Sequence, residues 1–200
     1  MTTSGGKLKR RARRYAAVPV LIARNPSAAR DALGWLGSLV GDQRLEPIEA
    51  RRPWMNYGGQ RWLARTVKAG WRVLEYGSGG STLWLEDRGC ETIAIEHDPE
   101  WADLVERHCN GRTTLIRRQL GEGYATPPDG TFDLVIVDGR RRVECALAAW
   151  ERLHPGGWLV LDNSGRAHYT DVFEALGPGH TVSGVVPHRT YVDQTTVWQR

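Results

Sequence analysis

Four carboxylates and one amide stand where runs of β-favouring residues give way to loops: Glu75, Glu96, Asp138, Asp162 and Asn163. Glu75 sits in Val73-Leu74-Glu75-Tyr76-Gly77-Ser78-Gly79-Gly80-Ser81-Thr82, so an apolar run feeds an acid and then a glycine turn. Glycines at 77 and 79 permit positive φ and let a ligand approach the backbone closely. A dinucleotide loop would read GxGxxG; here the third glycine position is Thr82, which counts against a bound pyrophosphate. A carboxylate two residues before Gly77 suits a cationic ligand group instead. Glu96 closes Ile93-Ala94-Ile95-Glu96-His97-Asp98, 21 residues beyond Glu75, where a carboxylate can accept both hydroxyls of a ribose. Asp138 closes Phe132-Asp133-Leu134-Val135-Ile136-Val137-Asp138-Gly139, while Asp133 at its far end reads as structural. Asp162 and Asn163 end the run that follows Leu153-His154-Pro155-Gly156-Gly157. Arg140-Arg141-Arg142 comes directly after Asp138. Guanidinium forks bind phosphate or carboxylate, and three cations at a helix start oppose its dipole, which favours a functional over a merely solvated placement.

These groups need a scaffold that gathers them. Strands are predicted at Arg72–Tyr76, Thr92–Glu96, near Thr113–Arg117, Phe132–Val137 and Trp158–Leu161, then His180–Val186 and Thr195–Gln199. Helices are predicted between them over Thr82–Asp87, Pro99–His108, Arg142–Leu153 and Tyr169–Leu176. Upstream, Ser27 is expected to cap a helix running to Val40, Arg44–Pro53 to be a loop, and Gly59–Lys68 a second helix. Alternating strands and helices imply a doubly wound, mostly parallel α/β sheet with right-handed crossovers. In such sheets ligands sit beyond the carboxyl ends of the strands, which is where the acids fall. The chain divides into a basic arm (1–26), N-terminal helices or lid (27–70) and the sheet domain (71–200).

Composition narrows the field. The 200 residues carry 27 Lys and Arg against 23 Asp and Glu, but six of the cations lie before Tyr15 with no acid among them. The remainder holds 21 basic and 23 acidic residues, so the basic balance belongs to the arm and the body is not expected to bind nucleic acid. The arm resembles the start of a signal peptide, but Pro19, Arg24 and the lack of a small-residue cleavage site favour a basic arm with weak attraction for anionic surfaces. Three cysteines without paired spacing argue against a disulfide framework and point to a reducing cytoplasm.

In family order and at family spacing, the glycine loop, Glu96, FDLVIVDG and LHPGGWLVLDN resemble the class I S-adenosylmethionine (SAM)-dependent methyltransferases, over about Val73 to Arg200. The resemblance implies a Rossmann-like seven-stranded sheet with a terminal antiparallel hairpin. It implies that Glu75, Gly77 and Gly79 cradle the methionine part of SAM and that Glu96 binds its ribose. The adenine would lie against His97 and the turn near Leu120. A narrower resemblance, to metal-dependent O-methyltransferases, implies Mg²⁺ held by Asp138, Asp162 and Asn163, although the family's lysine base is replaced by Arg141, which stays protonated. Without metal, Asp138 would orient substrate or SAM. Asp138 is the first candidate base and His168 the alternate. The expected activity is O-methylation of a small molecule or saccharide. A nicotinamide oxidoreductase, an aminopropyltransferase and a non-catalytic SAM-binding protein are the rivals; the first lacks its glycine pattern, and the last would not need Asp138 and Asp162.

Overall fold

A computed structural model describes residues 19–38, 46–121 and 123–200. The six cations of residues 1–14 lie outside these residues, as does Glu122. In chain order the elements are α1 (Pro26–Ser38), α2 (Glu46–Glu49), α3 (Tyr57–Thr66), β1 (Arg72–Tyr76), α4 (Gly80–Asp87), β2 (Glu91–Glu96), α5 (Pro99–Glu106), β3 (Thr113–Arg117) and β4 (Phe132–Val137), followed by α6 (Arg142–Trp150), β5 (Leu153–Asp162), a 3₁₀ turn at Ala167–Tyr169, α7 (Thr170–Leu176), β6 (His180–Val185) and β7 (Val192–Gln199).

The seven strands form one sheet in the order β3-β2-β1-β4-β5-β7-β6. The five strands from β3 to β5 pair in parallel, and β7 runs antiparallel between β5 and β6. The α/β class, the doubly wound Rossmann-like topology and the terminal hairpin are therefore present as the sequence implied. Alternation along the strands explains the two cores. Val73, Leu134, Ile136, Val160 and Val197 point to one face, with Leu63 of α3 and Leu85 of α4. Leu74, Tyr76, Val135, Val137, Leu159 and Leu161 point to the other, with Ala146 of α6 and Val172 of α7. Side chains two apart share a face of a pleated strand, so continuous apolar runs are what a sheet covered on both sides requires.

The order reverses between β1 and β4, the point at which the chain crosses from one half of the sheet to the other. There the carboxyl ends of β1, β2 and β4 open onto a crevice. The N-terminal helices do not stand apart. Both α1 and α3 pack on β6, and Trp35 of α1 is fully buried against Val185. Helix α1 begins at Pro26, so Ser27 falls inside it; the predicted loop after it contains the single turn α2. Strand β5 is longer than predicted because Pro155-Gly156-Gly157 is accommodated by a shift of register against β4 rather than by an end to the strand.

Candidate active site

The glycine loop is stitched to two neighbouring strands. Gly77 N–H donates to Ile95 O at 2.8 Å, and Asp138 N–H donates to Tyr76 O at 3.0 Å. Gly77 has φ +92°, which strongly favours glycine, and a Cβ on Gly139 would lie 2.6 Å from the Tyr124 hydroxyl and 2.8 Å from Gly77 N. The close approach of the two backbones thus depends on glycine at 139. Glu75 is buried, and its carboxylate accepts from Ser81 Oγ and from Thr82 Oγ1 at 2.6 Å. Thr82 Oγ1 in turn accepts from Gly79 N–H at 2.9 Å. The residue that replaces a third glycine therefore locks the acid to the loop. Burial pushes the Glu75 carboxyl up to about 8, against the pull of the Ser81 and Thr82 hydroxyls.

Glu96 is organised by donors on both oxygens. Oε2 accepts from Ser78 N–H at 2.9 Å and Ser78 Oγ at 3.1 Å. Oε1 accepts from the N–H groups of His97 at 2.7 Å and Asp98 at 3.0 Å. His97 Nδ1 also lies 2.7 Å from Oε1, which requires the proton on Nδ1. Trp101 Nε1 donates to Ser78 O at 2.7 Å and closes the loop from α5. Around these groups lies a cavity of about 380 Å³ lined by Glu75, Gly77, Ser78, Glu96, His97, Trp101, Asp138 and Gly139, with Trp54 from the N-terminal segment. That size and mixture suit a small organic cofactor.

Asp162 lies deeper. It is buried, with Thr195 Oγ1 donating to Oδ1 at 2.6 Å and Asn163 Nδ2 to Oδ2 at 2.9 Å. The chain of bonds continues: Asn56 Nδ2 donates to Thr195 Oγ1 at 2.7 Å, and Asn56 Oδ1 caps α3 by accepting from Gly59 N–H at 3.0 Å. Burial, then the nearby Asp138 charge, pushes the Asp162 carboxyl up to about 8. Asp138 is also pushed up by burial, with Arg142 opposing. Arg142 enters from the start of α6 and pairs with Asp138 Oδ1 at 2.8 Å. Its guanidinium also donates to the carbonyls of Asp138 at 2.8 Å, Gly139 at 3.0 Å and Asp162 at 2.5 Å.

Residues 74–164 match a family model described as Methyltransferase domain. A ribosomal protein L11 methyltransferase of Ralstonia nicotianae is 32% identical over 108 residues, covering 50% of this chain and 34% of that protein. A SAM-dependent O-methyltransferase structure from Thermotoga maritima has a TM-score of 0.58 at 18% identity, covering 78% of this chain and 69% of that one. A 16S rRNA N2 G1207 methyltransferase from T. thermophilus, solved with AdoMet and guanosine, has a TM-score of 0.51 at 19% identity, covering 70% and 40%. Residues 74–164 are a class I SAM-dependent methyltransferase domain. The chain spans about a third of the length of the curated relative it matches. The expected small-molecule or saccharide acceptor, with no nucleic acid among the partners, is overturned. The curated relative is named for a ribosomal protein and one structural neighbour for an RNA base, and neither for a sugar.

The residues fit SAM. Gly77 and Gly139 line the cavity without side chains, Glu75 lines it as an acceptor for an ammonium, and Glu96 stands at a strand end with both oxygens fixed. SAM, when bound, supplies a methyl group already activated by its sulfonium. Asp138 places a carboxylate on the wall of the same cavity. The expected Mg²⁺ site does not fit. The Arg142 guanidinium pairs with the Asp138 carboxylate, and the Asp162 carboxylate is taken up by Thr195 and Asn163, so neither acid is left open to a divalent ion. Asn163 turns its nitrogen, not its oxygen, towards Asp162 Oδ2, and its oxygen accepts from Arg166 Nη2 at 2.8 Å. A hard cation needs oxygen donors and no resident cation among them. Asp138 and Asp162 end two adjacent strands, but their side chains have separate partners: Arg142 for Asp138, Thr195 and Asn163 for Asp162.

Among the expected cofactor residues, Glu75, Gly77, Glu96, His97 and Asp138 line the cavity. Gly79 forms the start of α4 and bonds to Thr82. Leu120 is 48% exposed and is not part of the cavity lining. Tyr124, a few residues on, supplies what that turn contributes: it is buried, edge-on to His97 with ring centroids 6.4 Å apart. His168 stacks on Tyr169 and opens into a neighbouring hollow with Arg166, not into the SAM cavity. Sequence reasoning missed Ser78 and Trp101 as parts of the site, and took Arg142 only as one of three arginines following Asp138. A tryptophan two residues past the Pro99 helix start was a usable signal; the inward turn of Arg142 was not legible from a run of three arginines.

Proposed function

We propose that this protein transfers the SAM methyl group to a nucleophile presented by another protein. The observation that carries the reading is the organised Glu96–Ser78–His97 corner beside Asp138, matched over half the chain by relatives named for methylation of a ribosomal protein. Five donors from its own chain hold this carboxylate in one orientation beside the cavity, as a preorganised binding group requires. Asp138 faces the same cavity, so an acceptor group aligned with the methyl meets a proton acceptor there. Burial raises the Asp138 carboxyl above its ordinary value, and the Arg142 pairing opposes that rise. Three unpaired cysteines, two of them buried, support the reading of a reducing compartment.

The test is transfer of radiolabelled methyl from SAM in a ribosome-containing extract, followed by protease or ribonuclease digestion. Protease-sensitive label that is absent with Asp138→Ala supports the reading. Ribonuclease-sensitive label alone, or no incorporation into either fraction, overturns it.

A further inference from the structure

A second hollow, of about 500 Å³, adjoins the SAM cavity. The walls carry Arg140, Arg141, Arg166 and His168, and the two cavities share Gly139, Arg140 and Arg142 as their common rim. The arginines are not equally free. Arg142 is buried against Asp138. Arg141 donates to Gly121 O at 2.5 Å and to Glu144 at 3.2 Å. Arg166 gives one nitrogen to Asn163. The exposed Arg140 guanidinium has no hydrogen-bond or ion-pair partner among the described residues. Between the inward Arg142 and the outward Arg140 the chain turns through Arg141 at φ +48°, a left-handed conformation uncommon for a residue with a side chain. The strain is spent where the charge is presented, at the mouth of the site.

We propose that this hollow is the acceptor subsite: it holds a carboxylate side chain of the substrate protein beside the residue that is methylated. The inference rests on the protein-acceptor reading and names what part of the acceptor the domain recognises. Guanidinium forks pair with carboxylates through two parallel N–H···O bonds, and Arg140 and Arg166 each keep donors for that geometry. A chain seated there crosses the shared rim at Gly139 and Arg140, which brings its next residues to Asp138. The positive charge is local. Glu144 and Asp171 stand on the hollow's own wall, and beyond the first 14 residues the sequence holds 21 basic against 23 acidic residues. A nucleic-acid backbone needs cations spread along a track, whereas one or two carboxylates need only this cluster.

The probe is hexaglutamate, titrated into the full-length protein saturated with S-adenosylhomocysteine, with a hexauridylate as the competing chemistry. Saturable hexaglutamate binding is expected, weakened about tenfold or more in Arg140→Ala/Arg166→Ala and partly recovered in Arg140→Lys/Arg166→Lys. Both positions are exposed, and an unchanged melting temperature checks that the variants fold. Arg166 does not line the SAM cavity, so Arg166→Ala alone should keep S-adenosylhomocysteine affinity within about twofold. No binding of hexaglutamate, or binding indifferent to the double variant, overturns the subsite. Tighter binding of hexauridylate through the same two arginines overturns the carboxylate assignment. These outcomes are separate from the extract assay: label in protein with no hexaglutamate effect removes the subsite and leaves the protein-acceptor reading standing.

Discussion

Replacing Glu96 by Gln tests the cofactor corner with the least change of shape. The substitution keeps every heavy atom but turns one acceptor oxygen into an NH₂ donor. Whichever way the amide flips, that donor faces a backbone N–H: Ser78 on one side, His97 and Asp98 on the other. The less damaging flip points the NH₂ at Ser78, whose hydroxyl can rotate to accept while its N–H is left without a partner. A hydrogen bond to a charged group contributes about 1.5–3 kcal/mol, and part of that loss falls on the ligand-free loop. The ribose hydroxyls lose a charged acceptor in addition. The net effect on S-adenosylhomocysteine is about 2–3 kcal/mol, or roughly 30- to 150-fold in Kd. Calorimetric titration measures it, with a parallel melting curve to separate loop loosening from lost ligand contacts. A Kd within threefold of the parent, in a folded variant, would refute the assignment of Glu96 to the cofactor.

Excess EDTA should leave methyl transfer unchanged, because Arg142 already supplies the cation beside Asp138; a tenfold loss restored by Mg²⁺ would return the metal to this site. Glu75 and Asp162, both pushed up to about 8 by burial, hold protons in the folded chain that the unfolded chain releases near pH 4. Their contribution to stability is therefore full below about pH 4 and lost as pH climbs through 8, so the ligand-free melting temperature should fall between pH 5 and 8.5; a flat profile counts against both shifts. Asn56→Ala removes the cap of α3 and one end of the chain through Thr195 to Asp162, and chemical denaturation should show a loss of about 1–3 kcal/mol. A loss under about 0.5 kcal/mol would mean that this buried chain is not a structural tie.

The class of the sheet was legible because it depends on properties written locally. Continuous apolar runs at 73–76, 132–137 and 158–161 can be satisfied only by strands covered on both faces, and their acids then fall at one edge. Glu75, Glu96 and Asp138 were found for that reason, since a strand end is a position that pattern alone can locate. The boundaries that shifted are those governed by tertiary contact. Strand β5 extends back to Leu153 because pairing with β4 resumes on the far side of a register shift, which a Pro-Gly-Gly sequence does not announce. Glu46–Glu49 forms a helical turn whose Ile48 is buried with Leu83 and Val105, a long-range contact that its loop-like sequence hides.

The acidic pair shows the limit most clearly. Asp138 and Asp162-Asn163 have the residue types and the strand-end positions of a metal-holding set, but in the structure the two acids have separate partners. Whether such a set binds a cation from solution or from its own chain depends on one side-chain direction. Arg141 adopts a left-handed backbone, and Arg142 then turns inward to four oxygens rather than outward with its neighbours. Taking the Asp138 carboxylate out of water carries a cost that a paired cation offsets, and Arg142 is that cation. A guanidinium with several fixed donors does this with directed hydrogen bonds and no exchangeable ion. It also decides what is left for the acceptor: Asp138 keeps an edge on the cavity, while Asp162, bonded to Thr195 and Asn163, is held inside as the anchor for Arg142. The same three-arginine run thus divides its labour, one guanidinium completing the interior of the site and the next but one standing at its mouth.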